Sequence, residues 1–472
     1  MSYSRTALGA LLISCAGCID RYVFLDAHRD ASSELSQDGA DGAVVTDVND
    51  AMPPDVPDVV VPVCTGNPIT QLRAFDGTTC AIRRNGQLFC WGVRSRAMNS
   101  SADPSTPLLV ATDVTSVVSG GGVGIGFQLC FIRNRTVFCA GTNTDGQVGR
   151  PPGPGVVPID MPNELPLAGV EQISASNLHV CALLPRGTDG QTSVACWGNA
   201  GDNRTNNAGA IQPTWGTPNV FPVTRMLSGV TVRSIHSAGK TNYAVVDTGS
   251  GMSLVGWGRN EFGTFPDALA DLVTPSTNLP STSSTSMLTG LFVSPRLVCQ
   301  TSALLPSSLE CIGATDSGVL GQSPGVTTTW RVPGSPPPIA VMARQPLVAV
   351  GSNENAPASG FACVVRDDAR NRVACIGSNG FAQLGASTEM MSASWRDVVS
   401  AGPVGDGSDI THITAGAAHG CVRTTLDGVF CWGRAGCGER GDMLGTTSCT
   451  PVPSGAPSEP LRVPNRVVIP CS

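Results

Sequence analysis

Apolar residues along this chain come in short runs, and the runs come in pairs. The clearest pair lies within CAIRRNGQLFCWG, residues 80–92. Cys80, Ala81 and Ile82 form one run, polar residues 83–87 interrupt it, and Leu88 to Trp91 form the next. Such brief runs bounded by turn residues predict strands rather than packed helices. Asn85-Gly86 predicts a tight hairpin, because both residues tolerate positive φ. No long stretch repeats with a 3.6-residue period; DALADLVT at 267–274 predicts a short helix at most.

The hairpin recurs. Each copy runs from a small-residue segment through a cysteine or its substitute and a turn to Cys-x-Gly. The closing triplets are Cys90-Trp91-Gly92, Cys139-Ala140-Gly141, Cys196-Trp197-Gly198, Gly256-Trp257-Gly258, Cys311-Ile312-Gly313, Cys375-Ile376-Gly377 and Cys431-Trp432-Gly433, with glycines 49, 57, 60, 55, 64 and 56 residues apart. Several are followed by a second glycine signature: TNTDGQVG at 142–149, SNGFAQLG at 378–385 and a looser GDMLG at 441–445. A unit of about sixty residues with several short strands cannot bury its own faces, whereas seven units closed into a ring cover one another. The middle residue of each triplet is then expected to pack between neighbouring units, and its glycine to mark a close backbone approach.

Segments such as ITAGAAHGCVRTTLDGVFCWG (413–433) and QISASNLHVCALLPRGTDGQTSVACWG (172–198) resemble the repeats of the regulator of chromosome condensation family. The resemblance implies an all-β, seven-bladed β-propeller over residues 64–472. His179 and His419 occupy the family's histidine position, where the other repeats are expected to hold Thr78, Gln128, Asn242, Leu297 and Phe361. Because the ring does not demand an imidazole there, a structural polar contact is the expected role of both.

The cysteines follow the same layout. Six repeats carry a pair: Cys80 with Cys90, Cys130 with Cys139, Cys181 with Cys196, Cys299 with Cys311, Cys363 with Cys375, and Cys421 with Cys431. In the fourth repeat both positions are lost together, to Ala244 and Gly256, as a disulfide would require. With Asn134-Arg135 as a two-residue turn, Cys130 falls opposite Cys139, within bonding reach. Cys437 with Cys449 is expected to close a loop in the last repeat, and Cys64 with Cys471 to join the two ends of the ring. Disulfides on this scale need an oxidising compartment. Zinc is not expected, since the only Cys-x-x-Cys lies near the amino terminus.

Composition changes the picture mainly before residue 64. Gly 55 and Pro 36 make up about a fifth of the 472 residues, while charged residues are 14%, which suits strands and turns. Residues 1–18, MSYSRTALGALLISCAGC, predict an export signal. Leu12-Ile13-Ser14-Cys15 resembles a bacterial lipobox, which implies cleavage and lipidation at Cys15, with Cys18 the second candidate. Residues 19–63 carry ten acids against Arg21 and Arg29 and predict a disordered, self-repelling linker. Most of the chain's net charge of −7 lies there; residues 64–472 are neutral overall, so a nucleic-acid partner is not expected.

No motif for catalysis emerges, and neither metal nor cofactor is expected. The glycine run at 120–126 has the wrong spacing for a dinucleotide fingerprint. Long Ser/Thr/Pro/Gly-rich connections at 201–228, 263–290, 317–345 and 386–409 are the expected binding surface. Trp215, Trp330 and Trp395 stand in three of them, at 17, 17 and 18 residues beyond the closing glycine. That even offset favours a structural post; exposed, the same rings would suit sugar or protein contact. The expectation is a monomeric, non-catalytic propeller displayed on a bacterial surface, reaching the membrane only through its lipid and binding a protein or glycan partner. The alternative is a secreted enzyme inhibitor, as in the β-lactamase inhibitory protein of the same propeller type, or an enzyme acting on extracellular polysaccharide.

Overall fold

A computed structural model describes residues 64–471 except 65, 93–102, 122–126, 189–191, 200–218, 223–230, 248, 250, 266–270, 277–287, 303–304, 321–325, 343–344, 357–358, 369–371, 386–387, 400–403, 406–407, 435–437 and 442–463. The export signal with Cys15 and Cys18, the acidic linker, Trp215, and the Cys437 and Cys449 pair lie outside the described residues.

Seven of the antiparallel sheets follow one another in chain order, each a blade, and together make a seven-bladed β-propeller; an eighth, two-stranded sheet pairs Val341–Met342 with Gln345–Pro346. In blade 1 the order is Ile69–Ala74, Thr78–Arg83, Leu88–Gly92 and Leu108–Ala111, from the inner strand to the outer. The inner strands of blades 2 to 7 are Val114–Gly120, Gln172–Ala175, Thr231–Ala238, Leu288–Ser294, Val348–Gly351 and Ile410–Ala415. In blade 2 the outer position is shared by two short strands, Val156–Val157 and Asn163–Glu164. Of the stretch 267–274, which allowed a short helix at most, residues 271–274 belong to the outer strand of blade 4, Asp271–Ser276; an isolated helical turn has too few backbone bonds to compete with pairing along a sheet edge.

The hairpins follow their turn chemistry. Asn134 and Arg135 both take positive φ, 52° and 62°, and connect the second and third strands of blade 2 directly. Gly86 takes φ 81° in blade 1, and Asp427 takes the corresponding place in blade 7 at φ 63°. The Cys-x-Gly glycines all have positive φ, and each lies against the start of the strand beside it. A Cβ on Gly141 would overlap the Phe127 carbonyl, and one on Gly198 that of Leu178.

The core lies between blades rather than inside them. Seven apolar clusters stand at the seven interfaces. The tryptophan of one blade covers the disulfide of the blade before it: Trp197 packs with Cys130 and Cys139, Trp257 with Cys181 and Cys196, and Trp432 with Cys363 and Cys375. Trp91 does the same across the join between the first and last blades, with Cys421 and Cys431. The second glycine signature supplies the polar half of this contact. The indole N–H of Trp197 donates to the Gln147 carbonyl (3.1 Å) and that of Trp432 to the Gln383 carbonyl (2.9 Å), each in the preceding blade. Burying an indole requires such an acceptor.

Seven disulfides are present: Cys64–Cys471, Cys80–Cys90, Cys130–Cys139, Cys181–Cys196, Cys299–Cys311, Cys363–Cys375 and Cys421–Cys431. Their number suits an oxidising, extracellular environment. Blade 4 corrects the expected register. Tyr243, not Ala244, stands opposite Gly256 at the disulfide rung, and Thr241, not Asn242, stands opposite Gly258 at the histidine position. Without the cysteine to anchor it, the alignment slips by one residue. The space is filled by rings: Phe265 lies over Gly256, its centroid 6.2 Å from that of Tyr243, whose hydroxyl donates to Thr264 Oγ1 at 2.7 Å.

Candidate functional site

The inner strands alternate. Leu72, Val117, Ile173, Ile235, Val348 and Ile413 are buried between blades, while residues of the opposite parity stand toward the axis. The seven strands enclose a central channel of about 1190 Å³. Their pairing with the second strands sets its levels. Arg73, Val118, Ser174, His236, Phe292, Ala349 and Thr414 each stand opposite the cysteine position of their own blade and share one level.

Several polar residues around the channel are committed to holding blades together. The Gln71 amide donates to Thr115 O (2.6 Å), Gln172 donates to Ile235 O (2.8 Å), and His412 Nε2 donates to Leu72 O (2.8 Å). In each case a side chain of one inner strand reaches the backbone of the next blade. A second set lies deeper. His419 Nε2 bonds Thr79 Oγ1, and His179 Nε2 bonds Asn242 Oδ1, both at 2.8 Å and both wholly buried. Gln128 takes the same position in blade 2 and donates to Ser176 O (2.7 Å). The two family-position histidines are therefore inter-blade clamps. Burial, then the charge of Arg434, pushes His419 down to about 3, so it is neutral at physiological pH.

Charge is distributed unevenly in the channel. At the mouth near the Cys-x-Gly glycines, Glu354 of blade 6 reaches across to blades 3 and 4. It accepts from Asn177 Nδ2 (2.5 Å) and lies 3.9 Å from Lys240 Nζ, which also pairs with Glu261 (2.6 Å). Arg233 is paired with Asp247 at 2.5 Å, and Arg423 donates to Ile69 O and Thr411 Oγ1. His236 is held by Ser234 Oγ (2.9 Å). Burial first and the charge of Arg73 second push His236 down to about 4; the same causes, with Arg423 third, hold His412 there. Burial also lowers Arg73.

Two of the three candidate tryptophans lie among the described residues. Trp330 lies in the outer strand Val326–Arg331 of blade 5, and Trp395 in the outer strand Met391–Asp397 of blade 6. The Trp395 indole is half-buried, packs against the cluster between blades 5 and 6, and donates to Pro333 O at 2.8 Å. Among the described residues there is no group of three or more His, Cys, Asp or Glu that could hold a metal ion. The channel cations and the acid spanning its mouth went unnoticed in the sequence, because they belong to inner strands whose residues converge only when the ring closes.

No family model matches the sequence, and no curated protein matches it. Solved structures do. Human WBSCR16 superposes with a TM-score of 0.57 at 16% identity, over 78% of this chain and 86% of its own. Prp20p from Saccharomyces cerevisiae, described with its binding properties to Gsp1p and histones, gives 0.53 at 15% identity over 74% and 80%. The same yeast protein bound to Kap60 gives 0.53 at 14% over 74% and 78%. At these identities the likeness speaks to fold. By that measure, and by its seven blades in sequence order, the chain is a β-propeller of the regulator of chromosome condensation type.

Proposed function

We propose that this chain is an exported, non-catalytic binding module that captures a protein or glycan partner through the connections on one face of its ring. The observation that carries the reading is topological. In every blade a connection of ten or so residues or more joins the third strand to the outer one. Because the blades share one strand order, the strand ends bounding these connections all point to the same face. The scaffold beneath is held by disulfides in six of the seven blades, so the parts of these segments that do not pack between blades can vary at little cost to the ring. Prp20p, of the same fold, is described as binding proteins, which fits a propeller used as a platform. A lipid on Cys15 and the acidic linker would hold such a platform away from a membrane surface.

The test is capture from the native surface by the exported protein, compared with variants in which only 266–270 or 321–325 is replaced by a short Gly-Ser segment, so that the buried Phe265, Val319 and Leu320 are kept. Capture of the same partner should weaken while the melting temperature stays within a few degrees. Undiminished capture by every replacement, or capture lost only with the fold, would refute the reading.

A further inference from the structure

Arg73 carries its charge into the channel, exposed to the water inside yet surrounded by the seven inner strands. The other charged groups of the lining are engaged. Arg233 is paired with Asp247, Arg423 is spent on Ile69 O and Thr411, and Glu354 is held by Asn177 and Lys240. Asp76, at the end of the inner strand of blade 1, acts electrostatically on Arg434. Among the described residues, Arg73 has neither an ion pair nor a side-chain hydrogen bond, and only burial perturbs it.

A guanidinium open to the channel water and without a protein partner offers a planar fork of donors suited to carboxylate or phosphate oxygens. The level of Arg73 also holds Ser174, His236 and Thr414, and the level beside it holds Ser116 and Ser234. Hydroxyl and imidazole groups thus surround a cation, with Val118 and Phe292 as the apolar wall. The volume, about 1190 Å³, exceeds that of ordinary small-ligand pockets. We propose that the central channel binds a small oxyanionic ligand, a carboxylate or a phosphate ester, with Arg73 as its anchor. With His236 and His412 neutral, and the His412 N–H spent on Leu72 O, the anchoring role falls to Arg73 and the hydroxyls beside it.

The test uses the full exported chain with inorganic phosphate and with succinate as probes, the two arms separating the two oxyanion chemistries. Calorimetric titration should show saturable binding of at least one of them. Arg73→Gln should weaken it about tenfold or more, as loss of a charge-assisted bidentate contact implies. Arg233→Gln, which breaks a pair at the exposed edge of the channel, should leave it nearly unchanged. A second readout guards against misfolding: without ligand, Arg73→Gln should melt close to the wild-type temperature, because a water-exposed side chain without protein partners contributes little to stability. Absence of binding by both probes, equal binding by Arg73→Gln, or a markedly lower melting temperature for that variant without ligand would each overturn the proposal. The last outcome would mark Arg73 as a structural residue.

Discussion

Arg83 offers the sharpest test of how the ring closes. Its side chain is 2% exposed and gathers three parts of the propeller. Nε donates to Pro470 O (2.8 Å), Nη2 to Ile469 O (2.9 Å), and Nη1 to Asn67 O (2.8 Å) and to Asp427 Oδ2 (3.2 Å). Asp427 in turn accepts from the Ile69 amide at the start of blade 1 (2.8 Å). Burial lowers the pKa of Arg83, and the charge of Asp427 works against that, as expected of a pair held largely out of water. Arg83→Met keeps the aliphatic stem but leaves a carboxylate, 12% exposed, and three carbonyls without their donor. Removing one partner of a buried pair costs about 3–5 kcal/mol. With an unfolding entropy near 2.1 cal/mol/K per residue over roughly 400 residues, that lowers the melting temperature by roughly 5 °C. Hydrogen exchange should locate the loss, with faster exchange in Ile69–Ala74 and Asn465–Val467 and little change in blades 3 and 4. Adding Asp427→Asn should recover part of the loss, since it removes the stranded charge. A melting shift below about 1 °C, or exchange that rises evenly around the ring, would refute the closure argument.

Other outcomes follow from the same geometry. Replacing Cys64 and Cys471 with serine opens a loop of 407 residues, for which chain-entropy arithmetic gives about 6 kcal/mol, against about 3 for an in-blade bond; denaturant midpoints of the double variant and of Cys80→Ser/Cys90→Ser should rank in that order. Gly256→Ala should destabilise by about 1–3 kcal/mol because its methyl would overlap the Phe265 ring, and Gly256→Ala/Phe265→Leu should regain part of it in the same melt. Stability should fall with acid. His236, His412 and His419 are held down to about 4, 4 and 3 in the fold against about 6.5 when unfolded, so their stabilising share is intact above pH 6.5 and is lost as pH falls toward 4 and below. At its steepest, three protons taken up on unfolding give about 4 kcal/mol per pH unit. His419→Gln should reduce the measured uptake by about one proton while keeping a clamp of the kind Gln128 makes; an unchanged slope would contradict the assignment.

What could be read from the residues, and what could not, divides along the chain's own logic. Features set by neighbours in sequence were legible. Asn134-Arg135 dictates its turn, that turn places Cys130 against Cys139, and the Cys-x-Gly spacing counts the blades. The slip in blade 4 shows what the cysteines contributed: remove that marker and Tyr243 is one residue from where it was expected. The even offset of the tryptophans favours a structural post; Trp330 and Trp395 stand in the outer strands of blades 5 and 6, and the Trp395 indole packs against the cluster between those blades. Arg73, Glu354 and Arg83 were missed for a different reason. Each acts on residues from distant parts of the chain, and nothing local distinguishes Arg73 in QLRAF from the neighbouring Arg83 and Arg84.

The join between blades 1 and 7 differs in kind from the other interfaces. Each blade here is made of consecutive strands, and the last outer strand, Asn465–Val467, belongs to blade 7; among the described residues no strand from the amino-terminal end completes that sheet. Backbone pairing within blades therefore cannot close the circle. The ordinary contacts recur at the seam: Trp91 covers Cys421 and Cys431, His412 reaches Leu72 O, and His419 reaches Thr79. These equal what neighbouring blades have, but neighbouring blades are also joined by a covalent connection of 2 to 16 residues. Blades 1 and 7 lack that connection, and loop-closure entropy makes the difference largest for the most distant pair. Arg83 with Asp427, together with the Cys64–Cys471 bond, supplies what the chain's connectivity does not. If so, the two should act jointly: with the disulfide reduced, Arg83→Met should open the seam further than with it intact, and interfaces elsewhere should stay closed in both cases.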